Sequence, residues 1–334
     1  MKHPLLIALA ALLMIGPAYG SEEEAGQKAV LITGASTGIG RLAAETLAGN
    51  GYFVYAGARK PGDIEALNAI ENIQAIRLDV TIQGEIDAAV EKIRAEGRGL
   101  WGLVNNAGVN VVGPLIEFSD EDFDFLFDVN VRGVFSVTKA FAPLVIESGG
   151  RIVNISSVSG IGTGPAYGPY SMTKHAIEAF TDALAEEMEA TGVSVAAIEP
   201  GNYSSDIGLS RCNRMLAKAD AAASQYWAEM MKDHIDYCRE RVEPGYVSSA
   251  AEPVAVAEAI EHALFAETPK AHYLVVPEKG GAGWITWSLV ADLLDMNTDT
   301  EYGFSPDEII DIMHRELAYR AGDKTAFDDL TDQR

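Results

Sequence analysis

Two cysteines in 334 residues are too few for a disulfide-stapled scaffold, and none sits at zinc-ligand spacing. The six histidines, His3, His175, His234, His262, His272 and His314, are scattered without an HExxH pair, so no metal site is expected. Basic residues are scarce: 25 Lys and Arg stand against 49 Asp and Glu, a formal charge of -24. A surface that acidic repels phosphate backbones wherever salt does not screen it, which argues against nucleic acid as a partner. Internal repeats and low-complexity tracts are absent. Beyond residue 20 no segment reads as long and apolar enough to cross a bilayer, which takes about 20 residues. What is present, 48% hydrophobic and 22% charged residues, suffices for a full core and excludes disorder. Cys212 and Cys238 fall in one later region and could pair in an oxidising compartment, but two ordinary thiols are the reading the sequence favours.

The first twenty residues differ from the rest. Lys2 precedes an apolar run from Leu5 to Ile15, small residues stand at Ala18 and Gly20, and the acidic Ser21-Glu22-Glu23-Glu24 follows. Residues 1–20 read as a secretory signal peptide, which predicts export to a periplasm, the ER lumen or the outside. An uncleaved anchor holding the protein at a membrane, or an ordinary apolar helix, are the alternatives.

From Lys28 onward short apolar runs alternate with longer amphipathic stretches. The runs are KAVLIT, YFVYAGA, IQAIRLD, GLVNNAG, RIVNIS, VSVAAIEP and HYLVVP. Seven strands separated by helices predict an α/β fold with a doubly wound parallel sheet covered on both faces, spanning residues 27–290. In such a sheet ligands bind outside the carboxyl ends of the strands, where strand order reverses. Residues 206–245 interrupt the alternation with a polar, helix-prone insert, read here as a lid over substrate. Residues 291–334 form an acidic tail with one helix over 307–319, opened by Ser305 as cap and Pro306 at its first position.

The first strand runs into Thr33-Gly34-Ala35-Ser36-Thr37-Gly38-Ile39-Gly40. Glycines let the backbone turn sharply and bring N–H groups close to a diphosphate at the positive start of a helix. Strand, glycine turn and helix in that order predict a dinucleotide site that includes Gly34, Ser36, Thr37, Gly38, Ile39 and Gly40. The second strand ends in Ala58-Arg59-Lys60, with no acid to hold ribose hydroxyls. Arg59 could instead grip a 2'-phosphate through paired hydrogen bonds, so NADP is expected over NAD.

Tyr170 and Lys174 lie one turn apart on a predicted helix, on the same face. A phenol ionises near pH 10, and bringing it about two to three pH units down requires about 3 to 4 kcal/mol of phenolate stabilisation. Upstream, the strand RIVNIS ends in Ser156-Ser157, at the same sheet edge. With these residues the chain resembles the short-chain dehydrogenase/reductase family. The matching motifs are TGxxxGIG at Thr33 to Gly40, NNAG at Asn105-Asn106-Ala107-Gly108, Asp79 in RLDVT, Asn130 in DVNVRG, Ser157, Tyr170 with Lys174, and Pro200-Gly201. The surrounding wording is most similar to the retinol, 17-beta-hydroxysteroid and 3-hydroxybutyrate dehydrogenase branch.

The resemblance implies a Rossmann-type fold, pairing into a homodimer or homotetramer, and hydride transfer between NADP or NAD and the carbonyl or alcohol of a small, hydrophobic molecule. It implies that Tyr170 is the acid and base, Ser157 holds the substrate oxygen, Lys174 binds the nicotinamide ribose and favours the phenolate, and Asn130 supports a relaying water. Asp79, Asn106, Ala107 and Gly108 would line the adenosine side, and Pro200, Gly201 and Ser205 the nicotinamide side, with Ser205 standing where the family carries threonine. A fold that only senses or scaffolds a dinucleotide is the alternative. Tyr167, Tyr203, Tyr226 and Trp227 are candidates for a substrate pocket or for core, and Trp284 and Trp287 for an exposed apolar patch.

Overall fold

The computed structural model describes residues 26–218, 224–297, 303–323 and 325–326. The predicted signal segment lies outside them. The seven strands are β1 (Ala29–Ile32), β2 (Phe53–Ala58), β3 (Ile73–Arg77), β4 (Gly102–Asn105), β5 (Arg151–Ile155), β6 (Ser194–Pro200) and β7 (His272–Val275). They form one sheet in the order β3-β2-β1-β4-β5-β6-β7. Every neighbouring pair is parallel, with Ile32 opposite Ala56 on one side and Val104 on the other. Strand order therefore reverses between β1 and β4, the point at which an open sheet leaves a crevice.

Both faces of the sheet are covered, which is why its strands are apolar throughout rather than alternating. On one face Val30, Ile32 and Val54 pack with Leu47 of α1 (Gly38–Gly49) and Ile260 of α9 (Val254–Phe265). On the other, Leu31, Leu103 and Ile152 pack with Ile86 of α3 (Gln83–Glu96) and Phe141 of α5 (Gly133–Glu147). A short helix, α2 (Pro61–Asn68), follows β2 and was not anticipated; it buries only Leu67, too little periodic signal to read from sequence. The helix between β4 and β5 is α4 (Asp120–Phe127) running through a π-turn at Asp128–Arg132 into α5. By length and composition this continuous run, Asp120–Glu147, is apolar enough to cross a bilayer, contrary to expectation. Half of its most apolar window is buried, as befits a core helix.

The remaining helices are α6 (Gly168–Met188), α7 (Asp206–Lys218), α8 (Ala228–Arg241), α10 (Lys279–Asn297) and α11 (Pro306–Arg320). The insert is thus a pair of helices, α7 and α8, and Cys212 and Cys238 join them through a buried disulfide. The sequence favoured two free thiols here. Their closeness is a tertiary fact, because each cysteine faces inward from its own helix. The boundary placed at residue 290 falls inside α10, whose Trp284 and Ile285 lie against Gly162. α11 begins as expected: Ser305 and Glu308 form a reciprocal capping box, with Pro306 in the first turn.

Candidate active site

A cavity of about 260 Å³ lies at the strand reversal, running from Arg59 and Asp79 to Tyr170 and Lys174. Its floor is the turn between β1 and α1. Thr33 fixes the neighbouring chain there, its hydroxyl accepting from the backbone N–H of Asn106 and of Ala107, each at 3.0 Å. Asn106 returns the bond, donating from Nδ2 to the carbonyls of Thr33 (2.8 Å) and Gly34 (3.1 Å). A side chain at Gly40 would collide with that amide, and Gly38 has φ of +56°, so both positions require glycine.

Thr37, which precedes α1, makes no side-chain capping bond, and the first turn carries no acid. Its N–H groups are left for an anion, and those of Gly38, Ile39 and Gly40 border the cavity. These residues fit the diphosphate of a dinucleotide. At the far end the Arg59 guanidinium, largely exposed, stands 3.5 Å from Asp79. Burial works against the Asp79 carboxylate, but bonds from Thr81 and the charge of Arg59 hold it below the usual range. Of the catalytic and cofactor-binding residues expected from sequence, all but Asn130 and Gly201 border this cavity. Gly201 packs instead against Val276 and Pro277.

Tyr170 and Lys174 are carried by the first turns of α6, and Ser157 by the end of β5. All three are buried. Burial pushes the Tyr170 phenol up to about 12, against the downward pull of a hydrogen bond with Ser157 and of the Arg211 charge. Burial likewise pulls the Lys174 ammonium down to about 8, opposed by Glu178. Lys174 donates to the carbonyl of Ile155 at 2.8 Å, and its ammonium lies 5.8 Å from the centre of the Tyr170 ring. The protein alone therefore does not bring the phenol toward neutrality.

Asn130 sits in the π-turn, a distortion common at functional sites. Its side chain is committed: Oδ1 accepts from Val109 N–H at 2.8 Å, and Nδ2 donates to the Val109 carbonyl and to Thr173. It thus clamps the loop after β4 to α6 and holds Gly108 and Tyr170 in register. Any contact with water would fall to its backbone.

A second cavity, of about 670 Å³, opens on the other side of the same hydroxyls, within the range of small-molecule sites. Ser157, Tyr170 and Ser205 border both cavities. Tyr167 and Tyr203 line the second, as anticipated, and so does Trp284, which is also half-exposed as expected of a surface patch; Tyr226 and Trp227 do not. Trp287 is exposed. Residues the sequence reading missed, Arg211 from α7 and His234, Tyr237 and Arg241 from α8, also line it. Nothing local marks them. They converge only because α7 and α8 fold back over the site.

Behind Lys174, His272 at the start of β7 bonds to Glu199 (2.8 Å) through Nδ1 and to Asp182 (3.0 Å) through Nε2, with Glu178 at 3.6 Å. Its bonds to Glu178 and Glu199 push the imidazole up to about 10, while burial pushes the Glu199 carboxyl up. The shared proton rests on His272, which faces three carboxylates.

Residues 28–214 match the short chain dehydrogenase family. The chain is 35% identical over 271 residues to mitochondrial D-beta-hydroxybutyrate dehydrogenase of Bos taurus, covering 76% of this chain and 78% of that protein. It is 34% identical over 263 residues to retinol dehydrogenase 7 of Mus musculus, covering 77% and 81%. Among solved structures, actinorhodin polyketide ketoreductase with NADPH superposes with a TM-score of 0.60 at 28% identity, over 75% of this chain and 95% of that one.

Proposed function

The chain belongs to the short-chain dehydrogenase family, and from that membership we propose an NADP-preferring alcohol dehydrogenase or carbonyl reductase. The observation that carries this reading is that Ser157 and Tyr170 stand on the wall shared by the two cavities. A carbon bearing oxygen, placed in the second cavity against these hydroxyls, faces the first. A bound nicotinamide supplies the hydride and, when oxidised, a positive ring charge. Tyr170 donates its proton to the carbonyl oxygen in reduction and takes the alcohol proton in oxidation. Ser157 donates to the same oxygen and holds it as charge develops. Lys174 holds the ribose end, and Asn130 fixes the loop and helix that aim these groups.

The preference for NADP rests on Arg59 at the end of β2, where no acid stands within the strand end Ala58-Arg59-Lys60. Its ion pair with Asp79 is surface-exposed and weak enough to yield to a phosphate. Export belongs to the same proposal, supported by the character of residues 1–20 and by the disulfide between α7 and α8. N-terminal sequencing of the protein from its host tests it, and a start at Met1 would leave the anchor. Pairing of copies through α5 and α6 is supported by the exposed Phe135, whose ring lies 6.5 Å from that of Phe180.

Tyr170→Phe tests the reaction. Turnover is expected to fall by about 100- to 10,000-fold with NADPH binding unchanged. Full activity in the variant would remove the phenol from the chemistry.

A further inference from the structure

Arginine is scarce in this chain, and most of its arginines are answered by acids; on α7, Arg214 bonds Asp122 at 2.6 Å and reaches Glu121. Arg211, nearly one turn before it, and Arg241 on α8 line the 670 Å³ cavity that holds Tyr170, and Arg211 also borders the cavity beside Arg214. Among the described residues neither has a carboxylate within ion-pair distance. Arg211 donates from Nη1 to the Tyr167 hydroxyl at 2.7 Å, and Arg241 donates from Nη2 to the Ser205 carbonyl at 3.2 Å. Each leaves its Nε–H buried and without an acceptor. A half-buried guanidinium with a dry, unbonded N–H is costly unless an anion completes it. Arg211 and Tyr170 line the same cavity, with Tyr167 bonded to Arg211 between them in the chamber wall. His234, in the same wall, is pushed down by burial and by Arg211, so the arginines supply the positive charge.

We infer that the substrate carries a carboxylate, held by Arg211 and Arg241 while its alcohol or carbonyl carbon meets Tyr170 and Ser157. This deepens the oxidoreductase reading and rests on it, and it adds a negative charge to the hydrophobic substrate anticipated from sequence. Two guanidiniums without an acidic partner, one from each helix, offer their Nη groups to the two oxygens of a carboxylate; a phosphate dianion asks for more donors. The disulfide between Cys212 and Cys238 lies next to Arg211 and three positions before Arg241, so it fixes the spacing of the pair.

The test uses the full chain with NADP(H) and three matched probe sets: aliphatic hydroxy acids, their methyl esters, and hydroxyalkyl phosphonates. Both binding by calorimetry and turnover by nicotinamide absorbance are read. The acids are expected to bind and react about 10- to 100-fold better than the esters, the worth of one or two charged hydrogen bonds. Arg211→Gln and Arg241→Gln should erase that advantage by raising KM for acids far more than for esters, with NADPH binding kept within a few-fold. Arg211→Lys, which keeps the charge, should retain part of it and controls for folding. Esters equal to acids in binding, or acid binding indifferent to both arginine variants, would overturn the carboxylate; phosphonates preferred over acids would overturn it in favour of a phosphate. Turnover of neutral esters without acid preference sinks this inference alone, whereas carboxylates that bind through the arginines but never exchange hydride sink the oxidoreductase reading alone.

Discussion

Glu178 lies one turn after Lys174 on α6, and its charge opposes the burial that draws the Lys174 ammonium down to about 8. The same carboxylate reaches His272 on the far side. A half-buried acid therefore links the lysine of the reaction site to an imidazole at the edge of the sheet.

Glu178→Gln removes that opposing charge, so the Lys174 ammonium should lose its proton at lower pH. The alkaline limb of the pH dependence of kcat/KM is expected to move down by about one pH unit, which costs about twofold at pH 7. A limb that stays in place would mean that Lys174 does not govern it.

His272 is held protonated by Glu178, Glu199 and Asp182, with its pKa raised from 6.5 to about 10. A group whose folded pKa is raised contributes stability that is complete below its unfolded value and lost as pH climbs through the folded one. Thermal midpoints should therefore carry a contribution that declines from about pH 6.5 to pH 10, and His272→Asn should lack it. Lys174, shifted the opposite way, favours the fold as pH rises toward its unfolded value, so the wild type minus variant difference is the quantity to follow. A difference that is flat with pH would remove the cluster from the balance.

Arg59→Ala should weaken NADPH by about 10- to 100-fold and leave NADH within a few-fold, since only the former brings a 2'-phosphate to the end of β2. Fluorescence titration with both nucleotides measures it. Equal losses for the two would place Arg59 on the shared part of the cofactor.

The fold was legible because parallel strands buried on both faces leave apolar runs such as KAVLIT and RIVNIS, and each was followed by a helix of ordinary period. Most of the dinucleotide groove was legible for a related reason: strand, glycine turn and helix are adjacent in sequence, as are Tyr170 and Lys174. The second cavity was not. Arg211, His234 and Arg241 look like solvated helix residues in a polar insert, and only the return of α8 onto α7 turns them toward Tyr170. The cysteine pair escaped for the same reason, and α10 was cut in two because its apolar residues follow no single stripe.

Denatured in the absence of reductant, the protein should show no reactive thiols, and two after reduction, because Cys212 and Cys238 are its only cysteines. Opening the bridge by reduction or by Cys212→Ser should cost about 2 to 4 kcal/mol if the pair of helices unfolds with the rest, and less if it loosens first. Limited proteolysis should then cut within residues 206–241 before any other described segment. Thiols that react without reductant would contradict the bond.

The first turn of α7 faces two tenants. Asp206 and Ser210 border the groove at the strand reversal, Gly208 and Arg211 border the chamber beyond Tyr170, and Ile207 borders both. A helix shared in this way cannot tilt to admit one occupant without redrawing the room of the other.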